Sequence, residues 1–478
     1  MATTTDPYEG TEIENPLHRL TEDQIEELGR KFDELHDQVK SDLGERDARY
    51  IRGIIDLQRR LALAGRVLLF GARFRPLWLL GTASLSTAKI LENMEIGHNV
   101  LHGQWDWMND PVINSSVWDW DTASTSEAWK HSHNYIHHTY TNILGKDKDL
   151  GYEIMRVDPH QPWHPVYLLQ PIYNVLLMLL FEWGVAVHDM DIDAINKGEK
   201  SYREAFEDLK GISGKMRTQV QKDYVAWPLI SGLVMLGVEF AVAAAGGDLR
   251  DVRFAGRRSR RQRFHDRARR TVARTRQRTR RESDLASVVR QLVERKSFRE
   301  PFRRTLWANV TANIVRNVWS NWIIFCGHFP DQTYVFTEEE TENESTGARY
   351  VRQLVGAANI TGSPFFHVMS GNLGYQVEHH LYPDMPSTRY GEIAPRVREI
   401  CREYGLPYNT GPFSKQLGMV QRSILRLAFP GGKPRPKPGP YAGEVFITEG
   451  EQGLSAAAVA QNGSAASNGS SGRGDSDE

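Results

Sequence analysis

The sequence predicts an all-α fold: an integral membrane helical bundle of about four spans, capped by a cytosolic helical domain that holds a histidine-rich site. Residues 225–247 are apolar over about the 20 residues that a helix needs to cross a bilayer. Other hydrophobic stretches accompany this segment, and they separate three clusters of histidines. The mean hydropathy of −0.50 excludes a mostly embedded transporter. A large part of the chain is therefore expected outside the membrane.

Composition limits the chemistry. Only two of the 478 residues are cysteines, Cys326 and Cys401, which argues against a disulfide scaffold and against thiolate metal sites. Any bound metal must take nitrogen or oxygen ligands. The N-terminal residues are acidic and polar and include no apolar stretch of the kind found in signal peptides, so we expect a cytosolic N-terminus.

The chain begins with residues 1–20, which we expect to be disordered, and continues with an amphipathic helical region at 21–60. Thr21 and Gln24 have the spacing of a capping box at a helix start. Apolar residues then repeat at helical spacing, at Ile25, Leu28, Phe32, Leu35 and Val39.

Residues 61–430 are predicted to form the membrane domain, followed by a disordered tail at 431–478 that is rich in Pro and then in Gly, Ser and Ala. The candidate spans are a hairpin made of 61–72 and 76–97, and the segments 166–188, 225–247 and 305–327. A soluble helical protein with buried core helices is the alternative.

The segment 305–327 is apolar but contains five polar residues. In a membrane such groups should face a protein interior or a cavity. They are Asn309, Asn313, Arg316, Asn317 and Asn321.

Two histidine clusters have helical spacing. His98 and His102 are four residues apart, which places both imidazoles on one face of a helix, near enough to bind one ion. His133 and His137 repeat this spacing, and His138 is adjacent to His137.

The third cluster holds the adjacent pair His379 and His380. Neighbouring residues on a helix diverge by about 100°, so such a pair suits two metal ions better than one. Imidazole binds iron, copper, nickel or zinc. A histidine-rich site for two ions beside membrane spans favours a non-haem di-iron centre, and it is unlike the Glu-based sites of soluble di-iron bundles.

The stretches GHNVLHGQWDW, HNYIHHTYTN and QVEHHLYPDMP resemble the three histidine boxes of the membrane fatty acid desaturases. Together with NVWSNWIIFCGHFP they are similar to the bacterial NADPH-dependent stearoyl-CoA (Δ9) desaturases in particular. The resemblance covers roughly residues 45–245 and 305–430.

This resemblance implies a set of metal ligands, with no further catalytic residues. Gln376 stands at a position of the third box that varies between His and Gln, and it is a weaker candidate. His328 matches a family ligand outside the boxes, although a histidine at a membrane interface is the alternative. His131 precedes the second box and is expected to point elsewhere. The implied ligands are His98, His102, His133, His137, His138, His328, His379 and His380.

The implied reaction is the O₂-dependent desaturation of a long-chain acyl group, stearoyl-CoA to oleoyl-CoA, at two non-haem irons. No cytochrome b5 HPGG motif and no flavin or Fe–S pattern is visible, so electrons from NADPH must arrive through a separate protein, a flavin or Fe–S reductase or a ferredoxin-like donor. The resemblance also implies a multi-pass protein of the cell membrane, in contact with lipids, with its site in the cytosol. The alternatives are an acyl or lipid hydroxylase on the same scaffold, and a membrane metal-binding protein without turnover.

Three further sets of residues have open roles. Polar neighbours of the boxes either orient ligand N–H groups or are solvated: Glu92, Glu95, Asn99, Asn134 and Glu378. Tryptophans either line an acyl tunnel or anchor the membrane interface: Trp105, Trp107, Trp118, Trp120 and Trp129. Isolated histidines are expected at the surface or in the core: His18, His36, His160, His164, His188, His265 and His367.

Residues 250–304 depart from the family pattern, with 21 Arg and Lys against 6 Asp and Glu. A nucleic-acid patch would need interleaved aromatics, which this run lacks, and we expect no nucleic-acid partner. A helix that docks on acidic lipid or on an acidic electron donor, and an out-of-frame stretch, are the other interpretations. Since the boxes must share one side of the membrane, an even number of spans must separate His138 from His328. We expect the pair 225–247 and 305–327, with 166–188 and 225–247 as the alternative.

Overall fold

The computed structural model describes residues 15–245, 292–330, 333–431 and 443–445. Most of the arginine-rich run, with His265, and most of the two termini predicted to be disordered lie outside the described residues.

Helices dominate the described residues, as the sequence predicts. The α-helices are Glu22–Ser41, Glu45–Phe70, Arg75–Leu91, Asn99–Leu101, Ser126–Trp129, His138–Tyr140, Gln170–Leu179, Phe181–His188, Ile192–Lys197, Tyr202–Gln219, Trp227–Ala244, Lys296–His328, Thr346–Val355, Pro364–Met369, Gln376–Leu381, Tyr390–Glu403 and Phe413–Leu427. Three π-helical segments, with wider i→i+5 turns, are Glu92–His98, Lys130–His137 and Val220–Ala226. Short 3₁₀ turns are Pro16–Arg19, Asp106–Met108, Leu150–Glu153, Pro165–Leu169, Glu339–Thr341, Leu373–Tyr375 and Ser387–Arg389.

A small parallel sheet is the part of the fold that the all-α prediction missed. Its strands are Asn359–Thr361, Pro407–Pro412 and Gly443–Val445, in that order across the sheet. The outer two have three residues each, which is too short to show the alternation that indicates a strand. The third lies within the tail that was expected to be disordered.

The described residues form two compact units. The first comprises residues up to 59, 87–216 and from 314 onward, and it holds all the histidine boxes. Its core includes Phe32, Tyr350 and Tyr382. The helix Glu22–Ser41 contributes to this core through Leu28, Phe32 and Leu35, as its apolar repeat predicts.

The start of that helix confirms the predicted capping box. The backbone N–H of Gln24 donates to Thr21 Oγ1 at 3.3 Å, and the backbone N–H of Thr21 donates to Gln24 Oε1 at 2.9 Å. The region 21–60 is not one helix, however, because the chain breaks after Ser41 and a second helix runs from Glu45 to Phe70.

The second unit comprises residues 60–86 and 217–313. Leu69, Leu85 and Ala308 form part of its apolar core. A buried polar network lies beside them: Arg66 Nη2 donates to Asp223 Oδ1 at 2.8 Å, and Asn309 Nδ2 donates to the Asp223 carbonyl at 2.7 Å.

The polar residues of the segment 305–327 are buried, as predicted for groups that avoid lipid. The structure places this segment in the single helix Lys296–His328. The buried residues are Asn309, Asn313, Arg316, Asn317 and Asn321.

One helix among the described residues is long and apolar enough to span a membrane by length and composition alone. It runs from Tyr202 to Ala244 and reaches a mean hydropathy of 1.9. The candidate span 166–188 is broken instead, since Pro165–Leu179 and Phe181–Lys197 meet at 105°. Four spans therefore remain a prediction.

The Arg66–Asp223 pair generates a stability prediction. Asp223→Ala leaves the guanidinium buried without its carboxylate, and we expect a loss of about 3–5 kcal/mol in the free energy of unfolding. Thermal unfolding of the detergent-solubilised protein measures it. The matched control is Asp193→Ala, which removes the exposed ion pair with Lys197 and should cost far less, because solvent screens that pair. Equal losses in both variants would contradict this account.

Candidate metal centre

The first two histidine boxes lie on π-helical segments that return to α-helix within the box. His98 ends the segment Glu92–His98, and His137 ends the segment Lys130–His137. The third box lies on the short helix Gln376–Leu381. π-Helical turns are rare and occur frequently at functional sites.

Four histidines from all three boxes form the first nitrogen group: His98, His102, His133 and His379. Each offers a ligand atom, and these atoms all lie within 4.8 Å of one another. The four Nε2 atoms are buried and have no hydrogen-bond partner among the described residues. Nitrogen atoms in this state are poised to bind a cation.

Three histidines form the second nitrogen group: His137, His328 and His380. The Nε2 atom of His328 lies 3.1 Å from that of His137 and 3.0 Å from that of His380. The structure therefore places His328 among the box histidines rather than alone at an interface.

His138 lies between the two groups. Its ring centroid is 4.8 Å from that of His102 in the first group and 4.8 Å from that of His380 in the second. Both of its ring nitrogens are buried and lack partners among the described residues. The two groups are thus neighbouring halves of one site.

Hydrogen bonds made by Nδ1 fix the orientation of the three imidazole rings in the second group. His137 Nδ1 lies 3.0 Å from Asp147 Oδ1, and His328 Nδ1 lies 2.7 Å from the Ile324 carbonyl. His380 Nδ1 lies 3.0 Å from Gln353 Oε1. The amide of Gln353 is oriented by its own Nε2, which donates to the His138 carbonyl at 2.7 Å.

In the first group, Nδ1 of His133 lies 3.2 Å from Asp149 Oδ2, and Nδ1 of His379 lies 3.2 Å from the Tyr390 hydroxyl. The Tyr390 hydroxyl donates to the Tyr382 carbonyl at 3.1 Å, so it accepts from His379. In these five histidines, an acceptor at Nδ1 leaves the Nε2 lone pair free for a metal, the arrangement typical of metal-bound histidine.

These lone pairs would repel one another unless a cation lies between them. In the second group every Nδ1 faces an acceptor and carries the hydrogen, so the Nε2 lone pairs of neutral rings converge at about 3 Å. A proton on one Nε2 could form a hydrogen bond across one of the two Nε2–Nε2 contacts, but the other contact would stay repulsive. Two metal ions with nitrogen ligands fit the residues present.

Burial keeps most of these imidazoles in the neutral form that binds metal. It lowers the pKa of His98, His102, His138, His379 and His380 well below the usual value, and neighbouring imidazoles lower it further. His137 differs. Burial lowers its pKa, but the carboxylates of Asp147 and Asp149 outweigh burial and raise it.

A model of the family described as fatty acid desaturase matches residues 245–412. An NADPH-dependent stearoyl-CoA 9-desaturase of Mycobacterium tuberculosis is 41% identical over 411 residues, which cover 86% of this chain and 82% of that protein. An sn-1 linoleoyl-lipid 6-desaturase of Synechocystis is 24% identical over 73% of this chain and 79% of that protein. Human fatty acid desaturase 3 is 33% identical over 23% of this chain and 22% of that protein. No solved structure gives a significant match.

The chain belongs to the fatty acid desaturase family. It is therefore an oxidoreductase of lipid metabolism, and the buried histidine groups fit the histidine boxes by which the family is recognised.

The structure brings together all eight histidines that the family resemblance implies as ligands. Adjacent His379 and His380 fall in different groups, as predicted from their divergence on a helix. His133 and His137 also fall in different nitrogen groups, which their spacing did not predict, and both lie with Asp149 in a third group of potential ligands. Their segment is π-helical, and their rings stack side by side at 5.1 Å and 19°.

His131 and Gln376 lie near the histidine boxes but are not among the eight implied ligands. His131 is exposed and stacks against Tyr135, consistent with its exclusion from the ligands. Gln376 is buried, its Oε1 lacks a hydrogen-bond partner among the described residues, and its side chain packs against Gly327, next to His328.

Four of the five polar residues that the sequence suggested bond to groups other than the imidazoles. Glu95 and Glu378 are buried rather than solvated, and they bond to other partners: Glu95 to Tyr50, and Glu378 to Asn359. Asn99 and Asn134 donate to backbone carbonyls. Sequence reasoning missed Asp147, Asp149, Gln353 and Tyr390; the only local signal was the charged stretch KDKD directly after the second box.

The isolated histidines that the structure describes, all of them except His265, stay outside both nitrogen groups, as expected. One of them nevertheless reaches the site indirectly, because His188 Nε2 lies 2.9 Å from Asp149 Oδ1. Others bond elsewhere: His36 pairs with Asp384, and His367 stacks on Tyr375.

A mostly apolar cavity opens beside the first group, against His98 and His133. Trp120 and Trp129 line it, whereas Trp105 is buried in a separate cluster. This placement favours the tunnel interpretation for the first two tryptophans.

The two nitrogen groups generate a prediction about metal content. His98→Ala removes a donor from the first group and His328→Ala removes one from the second, so each variant should keep about one of two ions per chain. Elemental analysis of the purified full-length protein measures the content.

His131→Ala is the matched control, since it removes an imidazole from the second box without touching either group. It should keep the metal content of the unchanged protein. Metal loss from His131→Ala as large as from His98→Ala would contradict the two-group site.

Proposed function

We propose that this desaturase converts stearoyl-CoA to oleoyl-CoA, using O₂ and electrons from a separate NADPH-dependent reductase, at a non-haem di-iron centre. The observation that carries the proposal is the pair of buried Nε2 groups joined at His138. The relative named NADPH-dependent stearoyl-CoA 9-desaturase supports the substrate, the double-bond position and the reductant.

The donor set supports iron. Among the described residues both groups consist of imidazoles, and the two free cysteines, Cys326 and Cys401, are buried outside them. Structural zinc usually has four ligands, often with thiolates, in a single site. We assign as ligands His98, His102, His133, His137, His138, His328, His379 and His380, with Gln376 as a weaker candidate beside His328.

Two bound irons would supply O₂ activation and the removal of two hydrogens from unactivated CH₂ groups, for which side chains offer no adequate acid or base. The products are an alkene and two molecules of water. The protein's own contribution is to hold the ions at neutral imidazoles and to keep bulk water away. Burial of the ligands serves this second role, since it protects a reactive centre from side reactions.

The cavity beside His98 and His133 could receive the acyl chain. Apolar side chains line much of it, including Trp120, Trp129, Phe181, Val185 and Ile324. An apolar wall binds a methylene chain without fixing hydrogen bonds, so the position of the double bond would depend on how far the chain enters the cavity.

Electrons must be delivered by a partner. We propose a reductase that carries flavin or an Fe–S cluster, or a ferredoxin-like donor, with long-chain acyl-CoA and membrane lipids as the other partners.

We further propose a multi-pass protein of the cell membrane, with about four spans and with the N-terminus and the site in the cytosol. The segment 166–188 follows the second box and ends at His188, which bonds to Asp149 beside the histidines. The 105° break within this segment supports a re-entrant path that returns to the side of the site. The pair of spans between His138 and His328 would then be 225–247 and 305–327.

The reaction can be tested with purified, iron-loaded protein, stearoyl-CoA, NADPH and a reductase. We expect about two irons per chain, and O₂-dependent oleoyl-CoA formation that His133→Ala abolishes because it removes a donor from the first group. His131→Ala should remain active. Gas chromatography of the released acyl chains and elemental analysis provide the measurements.

Two other outcomes of the same experiment would contradict the proposal, and each would indicate a different function. A hydroxylated product in place of the alkene would indicate a hydroxylase. Zinc at about one ion per chain, without iron, would indicate metal binding without turnover.

The topology has its own test. A protease site inserted at residue 270 should be cut from outside intact cells, because one span, 225–247, would separate it from the cytosolic site. Cleavage only from the cytosolic side of inverted vesicles would favour the alternative pair, and it would agree with the tendency of positive segments to stay inside.

A further inference from the structure

We propose that His188 is a positioning residue of the metal site: it fixes the Asp149 carboxylate, and through Asp149 it holds His133 in the geometry that retains the metal. This inference rests on the proposed function for the identity of the metal. It concerns a histidine outside all three boxes.

Asp149 is placed where it can affect both nitrogen groups. Its Oδ2 lies 3.2 Å from Nδ1 of His133, a member of the first group, and 3.8 Å from Nδ1 of His137, a member of the second. A carboxylate hydrogen-bonded to a ligating imidazole fixes the ring and its tautomer and raises its basicity. The orientation of Asp149 is therefore coupled to the first group directly.

His188 determines that orientation from the opposite side. Its Nε2 lies 2.9 Å from Asp149 Oδ1, the oxygen that His133 does not use. The ring packs edge-on against Tyr152, with centroids 5.2 Å apart, and its Nδ1 lies 3.9 Å from Glu153. With a hydrogen-bond donor at each of its oxygens, the Asp149 carboxylate is held in a single orientation.

The neighbouring residue strengthens this connection. Asp189 accepts hydrogen bonds from the hydroxyls of Ser124 and Ser132, and Ser132 directly precedes His133. Two consecutive residues, His188 and Asp189, are thus hydrogen-bonded to residues on either side of the second box, Asp149 and Ser132.

The break in the segment 165–197 explains how His188 arrives there. A straight helix from Pro165 would carry His188 away from its own start, whereas the 105° bend after Leu179 redirects the second half of the segment. The bend therefore brings His188 within hydrogen-bonding distance of Asp149.

The proposal is tested on the full-length, iron-loaded protein by the rate at which a ferrous chelator removes iron. His188→Ala deprives Asp149 Oδ1 of its donor, and we expect iron loss to accelerate about 10-fold, the lower end of the effect of losing a direct partner of a ligating histidine, because Asp149 itself remains. His188→Gln keeps an N–H donor and should restore much of the retention. Turnover should fall in His188→Ala and recover in His188→Gln, in parallel with iron retention.

His367→Ala is the control, since His367 is a buried lone histidine that stacks on Tyr375 and belongs to neither group. It should release iron at the original rate. If His188→Ala does not fold, His188→Leu replaces it, with similar bulk and no donor.

Iron release from His188→Ala or His188→Leu at the rate of the unchanged protein, or equal to that of His188→Gln, would overturn the proposal. Failure of the proposed function is a separate result: the unchanged protein would bind iron but form no oleoyl-CoA, and the release rates would still report on His188.

Discussion

The structure depends on a cluster of imidazole nitrogens that face one another in a buried interior. An unsatisfied buried polar atom costs about 1–3 kcal/mol, and Nε2 atoms of His98, His102, His133, His138 and His379 all lack hydrogen-bond partners among the described residues. Their combined cost approaches the entire stability of a typical domain, about 5–15 kcal/mol. Cations that accept these lone pairs turn the same arrangement from a large penalty into a source of stability. The rest of the first unit can be understood as the support that this arrangement requires.

That support comes from segments far apart in the chain. The ring nitrogens that face away from the groups bond to Asp147 and Asp149 in the loop after the second box, to Gln353 on the helix Thr346–Val355, and to Tyr390 at the start of the helix Tyr390–Glu403. Gln353 also bonds to the backbone of His138, so one amide ties the second box to the third. These four imidazoles, His133, His137, His379 and His380, are thus fixed by tertiary contacts, whereas His328 is oriented by the Ile324 carbonyl of its own helix.

The sequence predicted those features of the site that depend on spacing along the chain or on the family pattern. Spacing indicated which histidines share a helix, divergence of adjacent residues separated His379 from His380, and the family pattern placed His328 with the boxes although nearly 200 residues separate it from His137. The orienting residues could not be predicted in this way, because their partners are set by how the helices pack. The same limit applies to the fold: the capping box at Thr21 is a local signal and was confirmed, whereas the small parallel sheet and the sharp bend after Leu179 arise from long-range packing.

The π-helical turns beneath the first two boxes have an evolutionary consequence. An i→i+5 turn holds one residue more than an α-helical turn, so a single-residue insertion into an ordinary helix is enough to create one. The wider turn before His98 and the one before His137 can absorb such an insertion while the chain on either side stays in register. Histidine motifs of unequal spacing can in this way deliver equivalent nitrogens to one centre, and a comparison that counts only the residues between histidines would treat related sites as different.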